Sequence, residues 1–345
     1  MKYFDRFQFI EFFFLLIIAL YLINFILIKY SALIDNTNYS NHKKFTNNFS
    51  VTPLSGGIFL FMNLVLFNLQ QEFTFILFLF LIGTIGILSD LNKVNSPYKR
   101  LFLQTIVVIA YIFLDNVNIQ GIRIEIIDKY LDFKILNIIF TAFCILILLN
   151  GSNFIDGLNN LQVGYYLVVL FFVLELSISQ NLIINLNYLH FLLIVYLVFY
   201  LFNFFGKCFL GDSGSYIITL TISDLLIEFS NYNSTISPYY IVVLLWYPAF
   251  ENFFSILRKK FLTKQNALLP DNYHLHHIIY NIIKKNKKHR FYNTLTGNLI
   301  VVYNILPFYL ASKFFYSTKI LTSIVLVNVI LYLIIFFKFK NSKTK

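Results

Sequence analysis

Long apolar runs recur along this chain, and they restrict its fold more than any other feature. Eleven segments qualify as candidate membrane spans: 7–28, 54–70, 73–88, 101–118, 135–149, 161–178, 186–202, 213–229, 238–257, 297–313 and 319–337. A spanning helix needs roughly 17–25 mostly apolar residues, fewer where it leans on neighbours. The runs at 54–70 and 135–149 are the shortest, and Gln70-Gln71-Glu72 separates the second run from the third. Of the 345 residues, 58% are hydrophobic and only 12% charged, about half the charge of an ordinary soluble domain. The expectation is an all-α polytopic integral membrane protein of about eleven transmembrane helices, one domain over residues 1–345 with no separate soluble unit. Lys2 and Arg6 precede the first run, and no small-residue cleavage site occurs before Lys29. That run therefore reads as a first span rather than a removable signal.

The basic residues sort by loop. Lys29, Lys43 and Lys44 lie in the first loop, Lys93, Lys99 and Arg100 in the third, and Lys207 in the seventh. The ninth carries Arg258, Lys259, Lys260, Lys264, Lys284, Lys285, Lys287, Lys288 and Arg290, and the tail adds Lys338, Lys340, Lys343 and Lys345. The second, sixth and eighth loops carry none, and the fourth offsets Arg123, Lys129 and Lys134 with Glu125, Asp128 and Asp132. Excess Lys and Arg marks cytoplasmic loops. Odd loops and the C-terminus are thus expected in the cytoplasm and the N-terminus outside. The formal charge of +11 is a topology signal on this reading, not a nucleic-acid surface. The fourth loop, 119–133, alternates apolar and polar residues and is predicted to be a small external β-hairpin. Cys144 and Cys208 lie on different segments and form no metal or redox motif.

Four polar clusters and one glycine-rich turn fall in the odd loops. The fifth loop, Asn150-Gly151-Ser152-Asn153-Phe154-Ile155-Asp156-Gly157-Leu158-Asn159-Asn160, is a polar island between two apolar runs. An Asn- and Gly-rich turn would explain it, as would a loop lining a polar cavity at the membrane surface. The third loop holds Ser89 and Asp90, then Lys99, Arg100 and Gln104. Asp90 could bind a cation or act as a base, and the basic residues could meet phosphate. The seventh holds Lys207 and Gly211-Asp212-Ser213-Gly214-Ser215. Glycines at a helix start admit an anion to backbone amides, Asp212 supplies a hard oxygen for Mg²⁺, and Asp and Ser are also plain helix caps. The ninth holds Pro270-Asp271-Asn272-Tyr273-His274-Leu275-His276-His277. Zinc would require a further ligand, with no Cys or Glu nearby in sequence, so a phosphate-binding cluster fits better. Thr52-Pro53-Leu54-Ser55-Gly56-Gly57 in the first loop allows close backbone approach, or is simply a helix-entry turn.

These motifs resemble the polyprenyl-phosphate N-acetylhexosamine-1-phosphate transferases, the glycosyltransferase family 4 branch that starts O-antigen, common-antigen and teichoic linkage units. The phospho-N-acetylmuramoyl-pentapeptide transferases are more distant cousins. The resemblance runs from Thr52 to His277. It rests most on Asn150-x-x-Asn153-x-x-Asp156-Gly157-Leu158 and on Asn203…Lys207-x-Phe209-x-Gly211-Asp212-x-Gly214-Ser215, while His274-Leu275-His276-His277 is similar to the hexosamine branch. It implies that a polyprenyl phosphate attacks the β-phosphorus of a UDP-N-acetylhexosamine in a bacterial inner membrane, releasing UMP. By the same resemblance Asn153 and Asp212 would ligate Mg²⁺ (Mn²⁺ being an alternative), and Asp90 and Asp156 would serve catalysis. Lys207, His274, His276 and His277 would meet phosphates or uridine, and Thr52 and Gly56 would shape the cleft. Homodimers are common in that family.

Three features depart from the family pattern. Ser89 stands where the first of two Asp residues is usual, Asn159 where Asp is frequent, and the stretch from Asp90 to Gln104 is one residue longer. Glu251 is a conservative replacement in the ninth span. Two other readings stand beside the transferase. A transporter or flippase would use Glu175, Asp224 and Glu228 along a path, though such proteins put key polar groups at mid-membrane, often with repeats. The second is a catalytically inactive homologue.

Overall fold

Lipid offers no hydrogen bonds to a backbone, so continuous apolar runs close their own amide bonds as helices. The structure, a computed structural model, describes residues 6–35, 51–68, 73–262, 273–284 and 290–340. Along these run α1 (Arg6–Lys29), α2 (Gly56–Asn68), α3 (Phe73–Asp90), α4 (Pro97–Asp115), α5 (Glu125–Leu131), α6 (Lys134–Ile155), α7 (Leu161–Gln180), α8 (Leu186–Phe204), α9 (Gly211–Tyr232), α10 (Pro238–Leu257), α11 (Leu275–Lys284), α12 (Arg290–Lys313) and α13 (Thr318–Lys340). Arg258–Leu262 continue α10 with wider, π-type winding. The ends obey local chemistry. Pro97 and Pro238 occupy first-turn positions where a missing amide costs nothing. Asn116 and Asn181 close α4 and α7 in the left-handed conformation.

Each of the eleven predicted segments contains a helix, and nine helices of the described residues are long and apolar enough to cross a membrane. The two segments outside that set differ in kind. With 13 residues, α2 rises about 20 Å, short of a roughly 30 Å hydrocarbon layer. By contrast α9 has 22 residues and is simply less apolar. It packs against α2, α3, α6, α7 and α10 and most of its residues are buried, so its surroundings are largely protein. Its inward hydroxyls bond within the helix: Thr219 to the Ser215 carbonyl (2.6 Å), Thr221 to that of Ile217 (2.9 Å) and Ser223 to that of Thr219 (2.7 Å). A hydropathy reading sees that polarity and not the sheath.

The fourth loop is not a β-hairpin. Residues 125–131 wind into α5, and no strand forms among the described residues. Asp128 accepts from the Ile122 amide (2.7 Å), Glu125 and Lys129 pair one turn apart, and Leu131 is buried. Arg123, with φ +56°, donates to the carbonyls of Tyr316, Ser234 and Ile236 at 3.0–3.1 Å. Those bonds fasten the loop to two others, which removes the need for a strand partner.

The loops gather at two ends. Gln120 and Asn118 bond to Asn231, Ile183 to Asn233, and Arg123 to Tyr316, which joins the fourth, sixth, eighth and tenth loops. The first, third, fifth, seventh and ninth loops converge at the other end. In α9 the helix start meets that second group and its end meets the first, so it runs the length of the bundle.

Candidate active site

At the odd-loop end, the first turn of α9 is the piece the others are built against. Asp90, last in α3, accepts from the Asp212 amide (2.9 Å), the Ser213 amide (3.2 Å) and the Ser213 hydroxyl (2.9 Å). It therefore caps α9, where a carboxylate satisfies otherwise orphaned amides and complements the helix dipole. Both of its oxygens hold the first turn of α9, Oδ1 through Asp212 and Oδ2 through Ser213. The close approach depends on Gly86, where an added Cβ would sit 2.2 Å from the Ser213 Cα. Gly56 lies against Leu210, its amide donating to the Phe209 carbonyl (3.2 Å). Thr52 is buried, and its carbonyl accepts from Asp35. Both shape the wall beside α9.

Three side chains converge on the Asp212 carboxylate. Asn153 Nδ2 donates to Oδ1 (2.9 Å), while Ser89 Oγ (2.5 Å) and Arg100 Nη1 (2.8 Å) donate to Oδ2. Arg100 also donates to the Ser89 hydroxyl (3.0 Å). Asn153 reaches Asp212 because α6 does not stop at Leu149. It runs to Ile155, so Asn150 and Asn153 project from its last two turns and only 156–160 form the turn. The island read from sequence as a loop is thus half helix. Asp156, half-buried, caps the C-terminal end of α6 one turn beyond Asn153.

The remainder of the island leads to a second cluster. Phe154 packs against His274 (centroids 4.9 Å apart), and a Cβ on Gly157 would meet His277 at 2.7 Å and His276 at 3.1 Å. All three histidines are buried. His274 Nδ1 lies 2.9 Å from Glu251 Oε1, which also accepts from the Leu275 amide. Burial, then the neighbouring His277 and His274, hold the His276 pKa well below the ordinary value for histidine. It stays neutral, with Nε2 buried and lacking a hydrogen bond among the described residues. Arg258 and Lys259 are buried beside this cluster, Arg258 over the Tyr273 and Phe336 rings and Lys259 over Phe154. In the sequence both read only as topology markers. Their burial at the end of α10 shows only in the structure, as does the contact of Arg100 with Asp212. Asp271, Asn272 and Lys264 lie outside the described residues. Lys207 is exposed on the α8–α9 loop, although its neighbour Gly206 faces Asn159.

Asn159 is anchored away from both clusters. Its amide donates to Asn293 Oδ1 (2.6 Å) and its side chain to Thr294 Oγ1 (3.4 Å), both on α12. Asn160 donates to Asn203 Oδ1 (2.6 Å). A neutral amide fits this donor role towards a hydroxyl.

No group of three or more His, Cys, Asp or Glu is poised around a metal position among the described residues. A divalent ion would instead find two protein oxygens, Asp212 Oδ1 and the Asn153 amide oxygen once that amide turns over, its N and O being assigned by bonding pattern. Two protein ligands suit Mg²⁺, which keeps waters and binds substrate phosphates, so the donor set fits.

The sequence model described as glycosyl transferase family 4 matches residues 73–230, the stretch carrying Asp90, Arg100, Asn153, Asp156 and Asp212. An undecaprenyl-phosphate alpha-N-acetylglucosaminyl 1-phosphate transferase of Thermotoga maritima is 27% identical over 238 residues, 68% of this chain and 69% of that protein. A phospho-N-acetylmuramoyl-pentapeptide-transferase of Petrotoga mobilis is 27% identical over 199 residues, 52% of this chain and 61% of that one.

Proposed function

From the premise that this chain belongs to glycosyl transferase family 4, we propose that it moves an N-acetylhexosamine-1-phosphate from a UDP-sugar to a polyprenyl phosphate, undecaprenyl phosphate in a bacterial inner membrane. A lipid phosphate oxygen attacks the β-phosphorus of the donor, the bond to the α-phosphate bridging oxygen breaks, and UMP leaves. The product starts a lipid-linked cell-surface glycan. The proposed orientation puts the odd-loop end and the C-terminus in the cytoplasm, where nucleotide sugars are, and the N-terminus outside. The carrying observation is that Asn153, Asp90, Ser89 and Arg100, from two loops far from Asp212 in sequence, all meet that one residue.

Phosphoryl transfer asks a protein mainly for positioning and charge neutralisation. Asp212 and Asn153 would hold Mg²⁺, or Mn²⁺, which when bound neutralises charge on the diphosphate. Asp90 fixes the backbone that carries Asp212. The lipid phosphate monoester is already largely anionic near neutrality, so Asp90 need not remove a proton. Asp156, one turn from Asn153, faces the same end and would orient the nucleophile. Neutral His276 can donate a hydrogen bond, and His274 and His277 flank it. Together with buried Arg258 and Lys259 they would receive phosphate or uridine. Lys207, exposed at the rim, would meet incoming anions, and Thr52 and Gly56 wall the cleft.

Membranes containing the protein, given radiolabelled UDP-N-acetylhexosamines, undecaprenyl phosphate and Mg²⁺, should form an organic-soluble product that mass spectrometry identifies as the diphosphate-linked sugar. Folded protein yielding no product from any donor in the panel would sink the reading. The transporter alternative finds less support. Asp224 accepts from Tyr111, and Glu175 and Glu228 are exposed on α7 and α9.

A further inference from the structure

Asp212 carries an unusual set of partners for a carboxylate offered to a divalent ion. Its Oδ2 already accepts from the Arg100 guanidinium and the Ser89 hydroxyl, and Arg100 and Ser89 bond to each other. The pair is only partly exposed, 26% for the Arg100 side chain and 20% for Asp212, so water screens it incompletely. Asp90 and Asp212 contribute two negative charges here and Arg100 one positive, which leaves one net negative charge. An acid at 89, usual in the family this chain resembles, would leave two. Position 89 lies within hydrogen-bond reach of Asp212, so a carboxylate there would repel Asp212 and compete for Arg100. With serine the guanidinium settles on Asp212 instead.

We infer that Arg100 is a built-in counter-ion of Asp212, seated there by Ser89, and that it holds down the site's affinity for a divalent cation. The inference rests on the proposed role of Asp212 as metal ligand. A dication held at Oδ1 would share its carboxylate with the guanidinium on Oδ2. The guanidinium charge is in place before any ion or substrate arrives. Arg100 is thus a positioning and charge-setting residue for the reaction, acting through Asp212. Ser89 and Arg100 also leave Oδ1 as the oxygen turned to Asn153, so the carboxylate would bind an ion through one oxygen.

Mn²⁺ titrated into detergent-purified full-length protein, with free Mn²⁺ read by electron paramagnetic resonance, measures this affinity without turnover. Arg100→Gln should tighten binding by about tenfold, because a neutral amide removes the like charge in a poorly screened setting. Ser89→Asp should tighten it in the same direction by adding a carboxylate and drawing Arg100 aside. Arg100→Lys, which keeps the charge, should stay within about twofold of wild type. Where Arg100→Gln does not fold, Ser89→Asp carries the test. If Asp212→Asn loses Mn²⁺ while Arg100→Gln and Ser89→Asp bind no tighter than wild type, the counter-ion role is overturned and the metal assignment stands. If Asp212→Asn binds Mn²⁺ as wild type does, the metal assignment falls and takes the inference with it.

Discussion

The two poles of the site use opposite electrostatics, and the polar island joins them. At the carboxylate pole, Asp212 is a partly exposed anion surrounded by donors: Asn153, Ser89 and Arg100. Its geometry comes from helix ends, with α3 capping α9 and α6 delivering Asn153. At the histidine pole, His274, His276 and His277 are buried, His276 is held neutral, and charge resides in Glu251, Arg258 and Lys259. Asn153 touches the first pole, and Phe154 and Gly157 touch the second. Within five residues the chain passes from an anionic surface suited to a cation to an enclosed, donor-rich one suited to an anion. The proposed donor, a diphosphate with a metal on one side and a nucleoside on the other, would need both.

The sharpest way to break the comparison is to remove charge at the first pole alone. Asp212→Asn keeps the shape and can still receive hydrogen bonds from Ser89 and Arg100, so the fold should survive. Transfer activity should fall by about a thousandfold or more, the scale of losing a main electrostatic contact in the transition state. Retained activity in the lipid-product assay, with unchanged thermal unfolding, would remove Asp212 from the mechanism.

The next break is steric. A methyl at Gly86 would sit 2.2 Å from the Ser213 Cα, and backbone cannot yield as a flexible side chain does. Gly86→Ala should cost about 1–3 kcal/mol through overpacking and displace Asp90 from the amides it caps. Activity should drop at the carboxylate pole while nucleotide binding, measured by calorimetry with UDP, persists. Equal loss of both would mean that the poles are not separable.

That separation also explains what the sequence made legible. The convergence of odd loops was readable, because lipid makes a cluster such as 150–160 costly unless it sits at an interface, and the basic residues assign each loop a side. The motif residues Asn153 and Asp212 were readable from their resemblance to a family. The work of Asp90 was not. A carboxylate after a span looks alike whether or not it also caps a helix, and the capping depends on Gly86 letting α9 approach. The end of α6 lies at Ile155, beyond residue 149 where its apolar run stops, because helix winding continues while polar side chains have partners. Arg258 and Lys259 were hidden for the converse reason: a basic run after a span has a sufficient topological explanation, and burial shows only in three dimensions. The α5 segment alternates like a strand but has no strand among the described residues to pair with.

A milder break addresses the second pole. Glu251→Gln leaves an oxygen able to accept from His274 Nδ1 and the Leu275 amide, but removes the charge that favours them. Hydrogen bonds to charged groups exceed neutral ones by about a kcal/mol, so thermal stability should fall by that order and activity by about tenfold. The KM for the UDP-sugar should carry most of the loss, in contrast to Asp212→Asn, where kcat should. A kcat effect alone would assign Glu251 to the carboxylate pole instead.

The smallest expected effect is on pH. His276, enclosed by His274, His277 and Tyr247, has a folded pKa below the ordinary 6.5. Below pH 6.5 the unfolded chain takes up a proton at this residue that the folded chain resists, so folding is opposed. The contribution to stability is full above pH 6.5 and is lost as pH falls from 6.5 towards the folded pKa, at a slope of at most about 1.4 kcal/mol per pH unit. Unfolding of the purified protein followed from pH 8 to pH 5.5 should show this acid limb, and His276→Gln should flatten it by up to that amount. An acid limb of the same slope in His276→Gln would place the titrating group elsewhere and leave the histidine pole without its distinguishing neutrality.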